Sequence, residues 1–72
     1  MNTDQLGFAV FCIENIAERL GTSGSHVYKL LTEDSGVLDG YIIPNADILH
    51  TQGKDYIVND IMEYMSEEGL LL

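Results

Sequence analysis

Basic residues are scarce in this chain, which carries only 3 Lys and Arg residues among its 72 and has a net charge of −9. Proteins that bind nucleic acid gain much of their affinity by neutralising phosphates with such side chains, and anionic membranes attract basic proteins in the same way. We therefore expect neither nucleic acid nor a membrane as a partner. The 12 acidic residues either keep the chain in solution or attract a basic protein.

Cysteines and long apolar runs are also scarce. The single cysteine, Cys12, excludes an intramolecular disulfide and suits a reducing compartment. The residues after Met1 are polar, and the apolar run from Phe8 to Ile13 is too short to span a bilayer. We therefore expect a cytoplasmic protein.

No catalytic or metal-binding pattern is visible. His26 and His50 are the two histidines, and neither lies at metal-ligand spacing from the other or from Cys12. The 7 glycines do not cluster as in a P-loop or a dinucleotide-binding turn, and nothing marks an oxyanion hole. We therefore expect no enzymatic activity, no metal, no cofactor and no small-molecule ligand.

Apolar residues recur at helical spacing along most of the chain, which predicts an all-α fold. The first helix is expected from Thr3 to Leu20, with Asn2 or Thr3 as its N-cap and Gly21 in the left-handed conformation after it. The core-facing stripe of this helix is predicted to consist of Leu6, Val10, Ile13, Ala17 and Leu20, widened by Ala9 and Ile16.

Glycines, hydroxyl residues and one proline divide the rest of the chain. A second helix is predicted to end near Thr32 and a third to begin near Val37, while Pro44 should precede a separate short turn. Gly69 and Leu70 have the sequence of a Schellman cap for the last helix. That helix has one apolar stripe, formed by Ile57, Val58, Ile61, Met62 and Met65. We predict a single domain over residues 1–72, a small bundle of four or five short helices.

One segment resembles a helix-turn-helix. The stretch from Ile16 to Gly21, followed by Val27 and Leu30, has its small, glycine and aliphatic positions at suitable offsets. The second helix would end at Glu33 and Asp34, whose carboxylates repel phosphates. The helix pair is therefore compatible with the sequence, and a helix-turn-helix nucleic-acid-binding regulator is kept as the alternative function.

Two aromatic residues, Phe8 and Phe11, lie off the predicted apolar stripe of the first helix, on the side of Asp4 and Glu18. Either this helix is covered on both sides within the monomer, or the two rings contact another chain. We therefore name Phe8 and Phe11 as candidate interface residues, for a protein partner or for self-association.

A longer motif lies in the C-terminal half of the chain. It runs from Asp47 to Gly53, with the sequence DILHTQG, and continues as YIV and DI between Tyr56 and Ile61. Together with Phe11 to Glu14 and Ser25 to Leu31, it makes nearly the whole chain resemble a family of short uncharacterised bacterial proteins, a domain of unknown function; the likeness is looser at Pro44 to Ala46. The resemblance implies no established activity. It does imply a gene neighbourhood beside ADP-ribosyltransferase-like proteins, as for a small acidic accessory partner.

The polar residues of this motif allow two interpretations. His50 and Gln52 could bond the free carbonyls that end one helix, Thr51 could cap the next, and Gly53 could adopt a left-handed conformation. Alternatively, His50 and Gln52 contact a partner. We expect a non-enzymatic protein-interaction module, an antitoxin-like or accessory protein or a homodimer, whose candidate interface is Phe8, Phe11, His50 and Gln52.

Overall fold

The computed structural model describes residues 1–71, and this part of the chain is all-α, as predicted. Its elements are α1 (Thr3–Leu20), α2 (Gly24–Thr32), a π-helical turn (Leu38–Ile42), α3 (Ala46–Leu49) and α4 (Lys54–Glu67). None of these helices combines the length and the apolar character that crossing a membrane requires.

Both ends of α1 are closed by hydrogen bonds that its sequence supplies. The side chain of Asn2 accepts from the Gln5 backbone N–H at 2.8 Å, and the Gln5 side chain accepts from the Asn2 N–H at 3.0 Å. This reciprocal pair is a capping box. At the other end Gly21 has a φ of 69°, and the Thr22 N–H donates to the Ala17 carbonyl at 2.9 Å. The predicted left-handed conformation of Gly21 is confirmed.

The core lies where α1 packs against α2 and α4, and the π-helical turn closes it beside α2. All of these elements contribute apolar side chains, so the core joins residues that are far apart in the sequence. The largest fully buried side chains are Ile16, Leu31, Ile42, Ile61, Met65, Val27, Val58 and Cys12. Removal of these groups from water is the main favourable contribution to folding.

The buried face of α1 is rotated from the predicted one. Leu6 and Val10, which were expected to face the core, are 55% and 45% exposed. Phe8 and Phe11, which were expected to point away from the core, are half-buried and pack against it, together with the buried Cys12. Apolar residues occupy more than half of the circumference of this helix. Helical spacing alone therefore did not determine which part of it would be covered.

The side chain of Tyr41 links the π-helical turn to α4. The Ile43 N–H donates to the Leu38 carbonyl five residues earlier, at 2.9 Å, which is the bond of a π-helix. Tyr41 lies in this turn, and its hydroxyl donates to the Asp60 carboxylate at 2.6 Å. Its ring stacks on that of Tyr64, with centroids 4.0 Å apart. No spacing or motif in the sequence indicated this contact.

The cap at the end of α4 is confirmed, whereas the conformation predicted for Gly53 is wrong. Gly69 has a φ of 76°, and the Leu70 N–H donates to the Met65 carbonyl at 2.9 Å, as in a Schellman motif. Gly53, however, is the N-cap of α4 with a φ of −72° and a ψ of 161°. An N-cap has extended backbone, which any residue can adopt, so the connection from α3 to α4 does not require a left-handed residue.

The residues before Gly53 close α3, Thr51 through its hydroxyl and His50 through its backbone N–H. The Thr51 hydroxyl donates to the Ile48 carbonyl at 2.7 Å, and the backbone N–H of His50 donates to the Ala46 carbonyl at 3.0 Å. Within residues 1–71, no side chain makes a capping hydrogen bond at the N-terminus of α4. The expectation that Thr51 caps the last helix is therefore wrong, because the N-cap of α4 is Gly53 and Thr51 lies two residues before it.

Candidate protein-interaction surface

An open cleft of about 470 Å³ lies between the first turns of α1 and the short helix α3. Phe8 forms part of the α1 side, and Asp47 and His50 form part of the α3 side. The cleft is lined by Asn2, Thr3, Asp4, Gln5, Gly7, Phe8, Ala46, Asp47 and His50. Two of the four candidate interface residues, Phe8 and His50, are thus brought together although 42 positions separate them in the sequence (50 − 8).

The other two candidate residues lie outside the lining of this cleft. Phe11 is half-buried and stacks on Phe8, with ring centroids 6.3 Å apart and an interplanar angle of 20°. Gln52 is exposed, and its side-chain amide donates to the Thr51 hydroxyl at 3.4 Å. The structure therefore connects Phe11 to the cleft through Phe8 and keeps Gln52 apart from it. A role for the four residues in partner binding stays a prediction.

An exposed apolar strip lies on α1, formed by residues that helical spacing predicts to face the core. Leu6 and Val10 are four residues apart and thus lie on one face of the helix, with Gly7 beside them. Gly7 also lines the cleft, so the strip and the cleft form one surface. We call Thr3, Leu6, Gly7, Val10 and Glu14 the α1 outer face. A glycine in the interior of a predicted helix was the signal that could have revealed it.

The charges on and around the α1 outer face are acidic. Asp4, Glu14 and Glu18 are exposed on α1, and Asp47 lies across the cleft. The one cation of α1, Arg19, is directed toward α4, since its guanidinium donates to the Asn59 side chain at 2.7 Å. The surface therefore combines apolar side chains at its centre with carboxylates at its edge.

The three cations of the chain do not converge on one face. The Arg19 guanidinium lies 3.7 Å from the Asp55 carboxylate, and the Lys29 ammonium lies 3.5 Å from that of Asp34 at the end of α2. Lys54 shares with Arg19 a second cleft of about 350 Å³, which Glu18 and Asp55 also line. Each cation is thus accompanied by at least one carboxylate, which weakens the attraction of phosphates.

The two groups whose pKa is raised to about 12 lie away from the clefts. Burial raises the pKa of the Cys12 thiol to about 12, so this thiol stays protonated at neutral pH and is a poor nucleophile. The pKa of Tyr41 is also raised to about 12, chiefly because its hydroxyl donates to the Asp60 carboxylate. Among residues 1–71 no group of three or more His, Cys, Asp or Glu side chains could hold a metal ion.

The model of a family of proteins of unknown function, DUF3791, matches residues 7–68. The chain belongs to this family. The matched region contains most of α1 and all of the later helices, and it includes the DILHTQG segment. The sequence-based expectation of a family without an assigned function is therefore confirmed. Neither the curated proteins nor the solved structures contain a match to the chain.

Proposed function

We propose that this DUF3791 protein is a non-enzymatic interaction module that binds another protein through the N-terminal half of α1. The observation that carries this proposal is the exposure of Leu6 and Val10 on adjacent turns of the longest helix in residues 1–71. Contiguous exposed apolar side chains with a polar rim are typical of protein-binding sites. The adjoining cleft adds Phe8 and His50, so two of the residues named from the sequence belong to the same surface.

A non-enzymatic role is consistent with the chemistry of the described residues. The Cys12 thiol is fully buried and protonated, and the two clefts are open to solvent, whereas small-molecule sites usually enclose most of their ligand. We further propose that the protein acts in the cytoplasm as an accessory or antitoxin-like partner. We also propose that the segment from Asp47 to Gly53 is characteristic of its bacterial relatives.

The alternative, a helix-turn-helix regulator, is favoured by the close approach of α1 and α2. A Cβ on Gly24, the first residue of α2, would lie 3.6 Å from Ile13 on α1. However, Lys29, the basic residue of α2, is paired with Asp34. Nucleic-acid binding would require a cationic surface. The pairing of Lys29 with a carboxylate therefore favours the protein-binding function.

Site-specific photo-crosslinking in the cell of origin tests the proposal. A photoreactive phenylalanine analogue in place of Val10 should crosslink to a discrete protein. The same analogue in place of Tyr28, which is exposed on α2, should not crosslink. Equal crosslinking at both positions, or none at position 10, would overturn the proposal. A titration with duplex DNA at low salt tests the alternative, because micromolar binding that weakens with added salt would favour it.

A further inference from the structure

We propose that the partner segment bound by the α1 outer face is a basic amphipathic helix of another protein, which crosses α1 at Gly7. This inference rests on the proposed function and specifies its partner. Three features carry it: a glycine that the monomer does not require, exposed apolar side chains beside that glycine, and a rim of carboxylates.

Nothing in the described structure requires a glycine at position 7. A Cβ there would meet no atom within 4 Å, and in residues 1–71 the positive-φ glycines are Gly21 and Gly69. A glycine inside a helix destabilises it by about 1 kcal/mol relative to alanine. The missing side chain thus lowers the stability of the monomer without relieving strain or a clash. A contact with another molecule accounts for it.

A crossing helix fits this position. The distance between packed helix axes, roughly 8–10 Å, depends on the side chains at the contact, and a glycine permits the closest approach. Leu6 and Val10 are exposed and lie next to each other on one side of Gly7, so both would contact the apolar stripe of a partner helix that crosses there. The face from Thr3 to Glu14 spans about 17 Å at 1.5 Å per residue, which matches three turns of a partner helix.

The sign of the charge on the partner follows from the rim. Asp4, Glu14 and Glu18 are exposed along α1, Asp47 lies across the cleft, and Arg19 is held by Asn59 on α4. A helix with Lys or Arg beside its apolar stripe would complement these carboxylates, whereas an acidic helix would be repelled.

A second copy of this chain is a poor occupant of the same face. A symmetric dimer would place this acidic surface against an identical one, so its carboxylates would face an equally acidic surface. Each copy also has a net charge of −9. Like charges across an interface oppose association, and the charge complementarity on which the proposal depends would be absent.

Two synthetic helical peptides test the inference. Both carry the same leucine stripe, and one has lysine where the other has glutamate at the flanking positions. The lysine peptide should bind the full chain and shift the amide resonances of Leu6, Gly7 and Val10, and the glutamate peptide should not bind. Gly7→Leu should lower the affinity for the lysine peptide at least tenfold. Gly53→Leu is the matched control, because a Cβ at Gly53 also meets no atom within 4 Å. This variant should bind the lysine peptide with the affinity of the parent.

Several outcomes would overturn the inference: equal affinity of Gly7→Leu and the parent for the lysine peptide, equal binding of the glutamate peptide, or resonance shifts confined to other elements. Self-association that Gly7→Leu abolishes would identify a second copy as the occupant. Circular dichroism verifies that each variant is folded. The experiments distinguish failure of this inference from failure of the proposed function. A protein crosslinked at position 10, together with a lysine peptide that does not bind, would refute only the proposal that the partner is a basic helix. The absence of any crosslink at position 10 would refute the interaction site itself.

Discussion

One stripe of apolar residues runs along both halves of α1, and it is covered in the C-terminal half but exposed in the N-terminal half. Leu6, Val10 and Ala17 belong to one stripe by helical spacing, yet Ala17 is buried, whereas Leu6 and Val10 are exposed. The chain reverses after Gly21, and α2 begins against α1, close to Ile13. The C-terminal half is therefore enclosed. The position of the neighbouring helix, and not the apolar character of the residues, determines which part of the stripe joins the core and which remains available.

The largest expected effect is a difference in stability between substitutions in the two halves of α1. Ile16→Ala, in the enclosed half, removes a fully buried side chain and should lower the free energy of unfolding by about 2–5 kcal/mol. Leu6→Ala, in the open half, should change it by less than about 1 kcal/mol, because the leucine side chain is already largely hydrated. Urea denaturation of both variants measures the difference. Similar losses for the two variants would show that Leu6 is covered in solution and would remove the basis of the comparison.

Much of the fold could be predicted from the sequence, because local signals fix it. The bounds of α1 and the left-handed conformations of Gly21 and Gly69 follow from caps and spacing within a few residues. The orientation of α1 could not be predicted in this way, since it depends on where α2 and α4 lie. The contact from Tyr41 to Asp60 is likewise long-range. Of the residues around the candidate surface, Phe8 and His50 are named from the sequence and line one cleft, whereas helical spacing assigns Leu6 and Val10 to the core.

Cys12, near the middle of α1, provides a test that depends on pH. The pKa of its thiol is raised to about 12 in the folded chain, while the ordinary value is 9.0. The unfolded thiol therefore ionises first as the pH rises above 9. The free energy of unfolding should fall between pH 9 and 12, by at most about 1.4 kcal/mol per pH unit for this group.

Thermal unfolding at pH 8 and pH 10 measures this effect, and Cys12→Ala should show a smaller alkaline loss than the parent. Because the pKa of Tyr41 is also raised to about 12, Tyr41→Phe measures how much of the alkaline loss comes from this hydroxyl. A thiol reagent at pH 8 should modify Cys12 only after denaturant is added. Rapid modification of the native protein would mean that the middle of α1 is open, contrary to its burial.

The glycines at Gly7 and Gly21 should respond with opposite signs to the same substitution. Gly7→Ala should stabilise the chain by about 0.5–1 kcal/mol, because alanine has the higher helix propensity and the space is open. Gly21→Ala should destabilise it by about 1–2 kcal/mol, because a φ of 69° is unfavourable with a Cβ. Melting temperatures should shift by several degrees in opposite directions. A loss of stability in Gly7→Ala would show that the monomer itself packs closely at Gly7.

The smallest effect concerns the N-termini of α1 and α4, which the structure caps in different ways. Asn2 closes the first turn of α1 through its side chain, whereas Gly53 makes no side-chain bond to α4. Gly53→Ser should supply the missing acceptor, because the extended backbone of Gly53 is that of an ordinary N-cap, and should raise the free energy of unfolding by a few tenths of a kcal/mol. Asn2→Gly should lower it by a similar amount. Replicate urea curves measured in parallel can resolve the two signs. If Gly53→Ser instead destabilised the chain, the link from α3 to α4 would need a conformation that only glycine tolerates, and the α3 side of the cleft, with Asp47 and His50, would have a different position relative to Phe8.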